Sequence, residues 1–148
     1  MSILFINGSP NPNGNTACLA ARLLSGKAYD TIELGTTKVY DYGQDFADDR
    51  FGEVVRAMIA ADTIVFGSPM YWHSFSGMLR NLIDRCYGPI RDEFAGKRLF
   101  FVFQGGAPTK EQLDTAEWTI SRFAGLYQMR YKGMVTNAAE ARAAAARV

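Results

Sequence analysis

Residues 63–86 read TIVFGSPMYWHSFSGMLRNLIDRC, and three patterns meet in them. Thr63 to Phe66 is a short, almost unbroken apolar run rich in β-branched and aromatic residues, which predicts a strand buried on both faces. Gly67 to Gly77 mixes glycine, serine and proline with Met70, Tyr71, Trp72 and Phe75, and predicts a strand-end loop. Phe75, Met78, Leu79, Leu82, Ile83 and Cys86 then fall at i, i+3, i+4, i+7, i+8 and i+11, an amphipathic helix stripe that Ser76 is placed to cap.

The same types of segment recur on either side. Ile3 to Ile6 and Leu99 to Phe103 are further short apolar runs. Two segments alternate instead, Tyr29, Ile32 and Leu34 in one and Met129, Tyr131 and Met134 in the other, as half-exposed edge strands do. Helical spacing fills the gaps: Leu19, Leu23 and Leu24 after Asn15; Phe51, Val54, Val55, Met58 and Ile59 after the acidic pair Asp48-Asp49, placed to cap their first turn; then Leu113, Trp118, Phe123 and Leu126; and last the alanine-rich tail Ala138 to Arg147. Alternation of strand and helix calls for a doubly wound α/β fold. With the alternating strands second and fifth, the expected sheet is parallel and five-stranded, of order 2-1-3-4-5, with helices on both faces. That is a flavodoxin-like three-layer sandwich over residues 1–148 as one domain, with its ligand crevice at the carboxyl ends of the first and third strands.

Composition narrows the classes of function. Apolar residues make up 48% and charged residues 21%, and 16 Lys+Arg against 15 Asp+Glu leave a formal charge of +1. Neither a nucleic-acid binder working through bulk charge nor an acidic electron carrier fits that balance. No apolar run approaches the roughly 20 residues that span a bilayer, and the N-terminus lacks a signal-peptide pattern, so a cytoplasmic protein is expected. Cys18 and Cys86 match neither a disulfide framework nor a zinc spacing. His73 is the only histidine, so no metal site is expected.

In such a sheet the chemistry sits on the loops after strands one, three and four. The first, Gly8-Ser9-Pro10-Asn11-Pro12-Asn13-Gly14-Asn15-Thr16, offers backbone N–H groups and hydroxyls leading into a helix N-terminus, a site for a phosphate dianion. An ordinary capped turn is the competing reading, but nine small or polar residues are more than a turn requires. A nucleotide P-loop needs G-x-x-x-x-G-K-S/T; here five residues separate Gly8 from Gly14 and Asn15 replaces the lysine. A phosphatase would need a cysteine in this loop, and Cys18 lies beyond it, where a small buried role is expected. The second loop holds Met70, Tyr71, Trp72 and Phe75 where the chain should meet solvent, a wall for a flat aromatic ligand. The third, Gln104-Gly105-Gly106-Ala107-Pro108-Thr109, offers unhindered amides to a ring edge. Together the three loops fit a flavin mononucleotide.

On these residues the chain resembles the flavodoxin-like NAD(P)H-dependent FMN reductases. The matching stretches are ILFINGSPNPNGNT, TIVFGSPMYWHSFSGMLRNLIDR and LFFVFQGGAP, with YDYGQDFADDRFGEVVRAMIAAD similar to the family's second connection. The middle motif, S-P-x-Y-W and then S-G-x-x-K/R-N-x-x-D-R, is the most specific. The chain is similar also to the flavin half of iron–sulfur flavoproteins, without their cysteine cluster. Many relatives carry Arg or Lys in the first loop, where this chain has Asn11 and Pro12. By resemblance Ser9, Asn11, Asn13, Asn15 and Thr16 would hold the FMN phosphate. Pro69, Met70, Tyr71 and Trp72 would line the isoalloxazine, and Gln104, Gly105 and Gly106 its pyrimidine side. NAD(P)H would donate hydride to flavin N5, with a flavin, quinone, nitro or azo compound as the small-molecule acceptor and no catalytic side chain required. The resemblance further implies a homodimer or homotetramer. Two other classes share the fold: a flavin electron carrier without reductase turnover, and a non-catalytic binding or sensor module.

Overall fold

A computed structural model describes residues 1–88 and 92–148. Its three central strands are β1 (Ile3–Asn7), β3 (Thr63–Tyr71) and β5 (Arg98–Gln104); β2 (Asp30–Glu33) and β6 (Arg130–Val135) flank them, and β4 (Ser74–Phe75) is a two-residue strand. The order is β2-β1-β3-β5-β6, all parallel, with β4 antiparallel to the end of β3. Apart from β4, this is the expected 2-1-3-4-5 sheet, and both alternating strands lie at its edges. Side chains on the central strands separate by parity, as the pleat demands. Leu99, Phe101 and Phe103 join Leu4, Ile6, Ile64 and Phe66 in one core; Phe100 and Val102 join Ile3, Phe5 and Val65 in the other.

The first core is closed by α2 (Phe51–Ala60), α3 (Gly77–Arg85) and α4 (Lys110–Leu126), the second by α1 (Asn15–Leu23) and α5 (Ala138–Ala144). Each fully buried Phe or Leu contributes roughly 1.5–3 kcal/mol, so these two layers carry most of the folding free energy. The alanine-rich tail docks through Ala141, Ala144 and Val148 onto the layer that holds Leu19, Ala20 and Leu23. Among the described residues no helix is long and apolar enough to cross a membrane.

Three expectations need correction. The third strand does not end at Phe66 but runs on to Tyr71, so Pro69, Met70 and Tyr71 lie in a strand rather than a loop. Pairing with β1 ends at Asn7–Gly67, and Pro69 lies past that point, where a missing N–H is tolerated. Phe75 belongs to β4, and α3 starts two residues later behind its Ser76 cap. Cys18, expected to be buried, is exposed, because α1 turns Thr16, Leu19, Ala20 and Leu23 inward instead.

The acidic pair before α2 divides its work. Asp48 pairs with Lys38, while Asp49 accepts from the Phe51 N–H at 3.2 Å and meets Arg85 of α3 at 2.6 Å. Arg85 also donates to Tyr40 O at 3.3 Å and lies over the Phe51 ring, and Asn81 donates to Val39 O at 3.2 Å. Asn81 and Arg85, two members of the quoted motif, thus fasten the long connection onto α3. Burial alone would raise the Asp49 pKa, but the Arg85 hydrogen bond, the Phe51 amide and the Arg85 charge outweigh it and hold the carboxyl below its ordinary value. A lowered folded-state pKa stabilises the fold above the unfolded value of about 3.9, and that stabilisation is lost as pH falls through the folded value. Replacing Asp49→Asn is expected to remove about 1.5–3 kcal/mol at neutral pH. In urea titrations the gap from the parent chain should close in acid; a gap independent of pH would contradict the ion pair's role.

Candidate functional site

The carboxyl ends of β1, β3 and β5 meet the N-termini of α1, α3 and α4 at one end of the sheet. The loop after β1 is shaped by side chains at alternate positions. Asn7 Oδ1 accepts from Ser9 N at 3.1 Å, Ser9 Oγ from Asn11 N at 3.1 Å, and Asn11 Oδ1 from Asn13 N at 3.0 Å. These are successive side-chain-to-backbone turns of the kind Asn and Ser favour. Asn7, fully buried, is oriented in turn by donating from Nδ2 to Glu33 at 2.8 Å at the end of β2. Gly8 N donates to Gly67 O at 2.8 Å and Gly14 N to Asn11 O at 3.2 Å, while Pro10 and Pro12 have no N–H to offer.

The Gly8 N–H is therefore spent on β3 and those of Ser9, Asn11, Asn13 and Gly14 within the loop, so of the expected donors between Gly8 and Thr16 only the amides of Asn15 and Thr16 remain open among the described residues. What stays open is the start of α1. Its N-cap is Gly14, which supplies no side-chain cap, and among the described residues nothing accepts from the amides of Asn15, Thr16 and Ala17. Three unspent N–H groups at the positive end of a helix are suited to receive an anion. The Asn13 and Asn15 side chains lie exposed beside it, and no lysine or arginine side chain hydrogen-bonds to the loop among the described residues. The Thr16 hydroxyl, 1% exposed, accepts from Gln104 Nε2 at 3.2 Å and ties α1 to the end of β5.

Ser76 fastens the opposite wall. Its Oγ donates to Gly8 O at 2.6 Å and accepts from Leu79 N at 3.3 Å, while its amide donates to Ser68 Oγ at 2.7 Å. From that anchor the β3–β4 hairpin projects, with Pro69 buried at its base, Met70 half-buried, and Tyr71 and Trp72 48% and 93% exposed towards its tip. Met70 packs against the third loop so closely that a Cβ on Gly105 would lie 2.9 Å from Met70 Cβ. Gly106 has open space around it. All the expected residues thus lie at the carboxyl ends of the three central strands. Asn7, Ala17 and Ser76 belong with them: Ser76 was expected only as a cap, and the alternate spacing of Asn7, Ser9, Asn11 and Asn13 was the available signal for the first loop.

A sequence profile of the family described as NADPH-dependent FMN reductase matches residues 1–140. The chain belongs to that family. An NAD(P)H-dependent FMN reductase of Pseudomonas aeruginosa is 39% identical over 66 residues, which cover 45% of this chain and 34% of that protein. An iron–sulfur flavoprotein of Methanocaldococcus jannaschii is 31% identical over 99 residues, 57% of this chain and 51% of its own. The chain thus spans about half the length, or less, of these curated relatives. A solved structure described as the Trp repressor binding protein of Bacillus subtilis superposes with a TM-score of 0.78 at 22% identity, covering 99% of this chain and 98% of that one, and shares its fold.

The site fits the flavin mononucleotide of the family's description on its own geometry. The open amides of α1 suit a phosphate, and the exposed Tyr71 and Trp72 with the open space at Gly106 suit a planar ring.

Proposed function

We propose that the chain is an FMN-dependent NAD(P)H:acceptor oxidoreductase, with a flavin, quinone, nitro or azo compound as acceptor. The observation that carries this reading is the uncapped N-terminus of α1, whose three amides are the only backbone donors the first loop leaves open among the described residues. The amides of Asn15, Thr16 and Ala17 would hold the phosphate, with Asn13 and Asn15 side chains beside it. Ser9 and Asn11 act indirectly, by keeping the loop in shape. Pro69, Met70, Tyr71 and Trp72 would line one side of the ring, and Gln104, Gly105 and Gly106 would run along its pyrimidine edge.

Bound FMN would supply the redox chemistry, taking hydride from a nicotinamide at N5 and passing electrons to the acceptor. The chain's own share is to bind, orient and polarise. Helix-end amides neutralise the phosphate, Gln104 is held by Thr16 at the ring edge, and glycine amides can face negative charge that develops on the ring. The exposed tip at Tyr71 and Trp72 leaves one side open for donor and acceptor to alternate.

Assembly as a homodimer or homotetramer is part of the proposal. Tyr42, Tyr87 and Leu126 expose apolar surface around a cavity of about 570 Å³ between α3 and α4, away from the flavin end. Sedimentation should give a mass above that of one chain.

Anaerobic mixing of the FMN-loaded protein with NADPH or NADH tests the reaction. Bleaching of the flavin colour and its return with a quinone, nitro or azo compound are expected. A flavin inert to both nucleotides would point to an electron carrier, and failure to bind FMN would point to a non-catalytic module.

A further inference from the structure

The turn at the tip of the hairpin is built from unexpected residues. A two-residue connection between antiparallel strands adopts the type I′ shape when both central residues have positive φ, and Asn-Gly is the usual choice. Here Trp72 and His73 stand at φ 44° and 66°. Side chains stay in that region only where their surroundings hold them.

One such support comes from α4. His73 Nδ1 contacts the side-chain nitrogen Nε2 of Gln112. The orientation of that amide is fixed by its other end. Gln112 Oε1 accepts from Thr109 N at 2.9 Å, and Gln112 N donates to Thr109 Oγ1 at 3.3 Å, which completes the capping box of α4. With the carbonyl committed to the cap, only the NH₂ group can face the imidazole. Nδ1 must then be the acceptor, which puts the ring proton on Nε2.

We propose that Gln112 is a positioning residue for the flavin site, acting through His73 as a latch between the hairpin and the start of α4. Gly105 against Met70 already joins the hairpin to the loop that leads into α4. The latch joins them again at the tip and so sets how the hairpin stands over the place proposed for the ring. The proposal rests on the flavin reading given above, and its test separates the two.

His73 is the only histidine in the chain, so the nitrogen-15 spectrum of the flavin-free protein reads its tautomer without assignment. At about pH 8 the expected form carries its proton on Nε2. A proton on Nδ1 overturns the latch. Gln112→Glu keeps an acceptor for the cap but presents only acceptor oxygens to His73, so the tautomer should flip to Nδ1–H; an unchanged spectrum overturns the contact.

The second arm measures FMN and riboflavin affinity in His73→Ala, Gln112→Ala and the double variant, with thermal melting as a check on folding. Each single change should weaken both ligands alike by about threefold to tenfold, and the double should be no weaker than the weaker single. Losses that multiply, or that fall on FMN alone, overturn the positioning role. Should the parent chain bind neither ligand, the flavin reading and the positioning role fall together, while the tautomer still decides whether the latch exists.

Discussion

Replacing Gly8→Ala should lower stability by about 3 kcal/mol, the upper part of the range for overpacking a buried site. A Cβ there would lie 2.8 Å from Gly67 O, 3.0 Å from Leu79 Cβ and 3.1 Å from Ser76 Oγ. The first of these is backbone, and the same carbonyl accepts the Gly8 N–H, so it cannot withdraw without breaking the tie between β1 and β3. Ser76 would also lose its 2.6 Å bond to Gly8 O, which anchors the hairpin wall to the first loop. For a chain of this size the melting temperature should drop by about 10 °C, and FMN affinity should fall with it. A variant with the parent's melting point would mean the loop and α3 are not packed as described.

Asn15→Asp is expected to move stability and affinity in opposite directions. A carboxylate in the first turn of α1 complements the helix dipole, a gain of about 0.3–1 kcal/mol where at present the first turn holds no acidic residue. On the proposed site the same carboxylate would stand beside the FMN phosphate. A single charge about 5 Å from a dianion costs about 1.7 kcal/mol even at the dielectric constant of water, at least a tenfold loss of FMN affinity. Riboflavin should bind as before, and added salt should narrow the difference. Equal loss of both ligands would place the phosphate elsewhere.

The parts of the fold set by burial were legible in the sequence. Leu99 to Phe103 must satisfy two cores at once, so the run is apolar at every position and reads as a central strand. The end of β3 was hidden because Gly67, Ser68 and Pro69 look like chain breakers, although they lie in a strand that outruns its β1 neighbour. The hairpin was hidden too, since Trp-His in a type I′ turn contradicts local preference and is held by Gln112 from another element. The first loop was legible as a candidate anion site by composition, but not in its workings. Which amides stay free depends on Asn7, Ser9 and Asn11 consuming the others, and that appears only once each side chain's partner is known. Asp49 and Arg85 could not be paired by pattern, because only the tertiary path of the connection brings them together.

The central claim is that the start of α1 holds the phosphate of FMN. Calorimetric titration of the flavin-free chain with FMN and, separately, with riboflavin tests it most directly. One FMN per chain is expected, with riboflavin bound at least tenfold more weakly, because even one hydrogen bond to a charged group is worth about 1.5–3 kcal/mol and three amides are available. Equal affinity for the two ligands, or no binding of either, would contradict it.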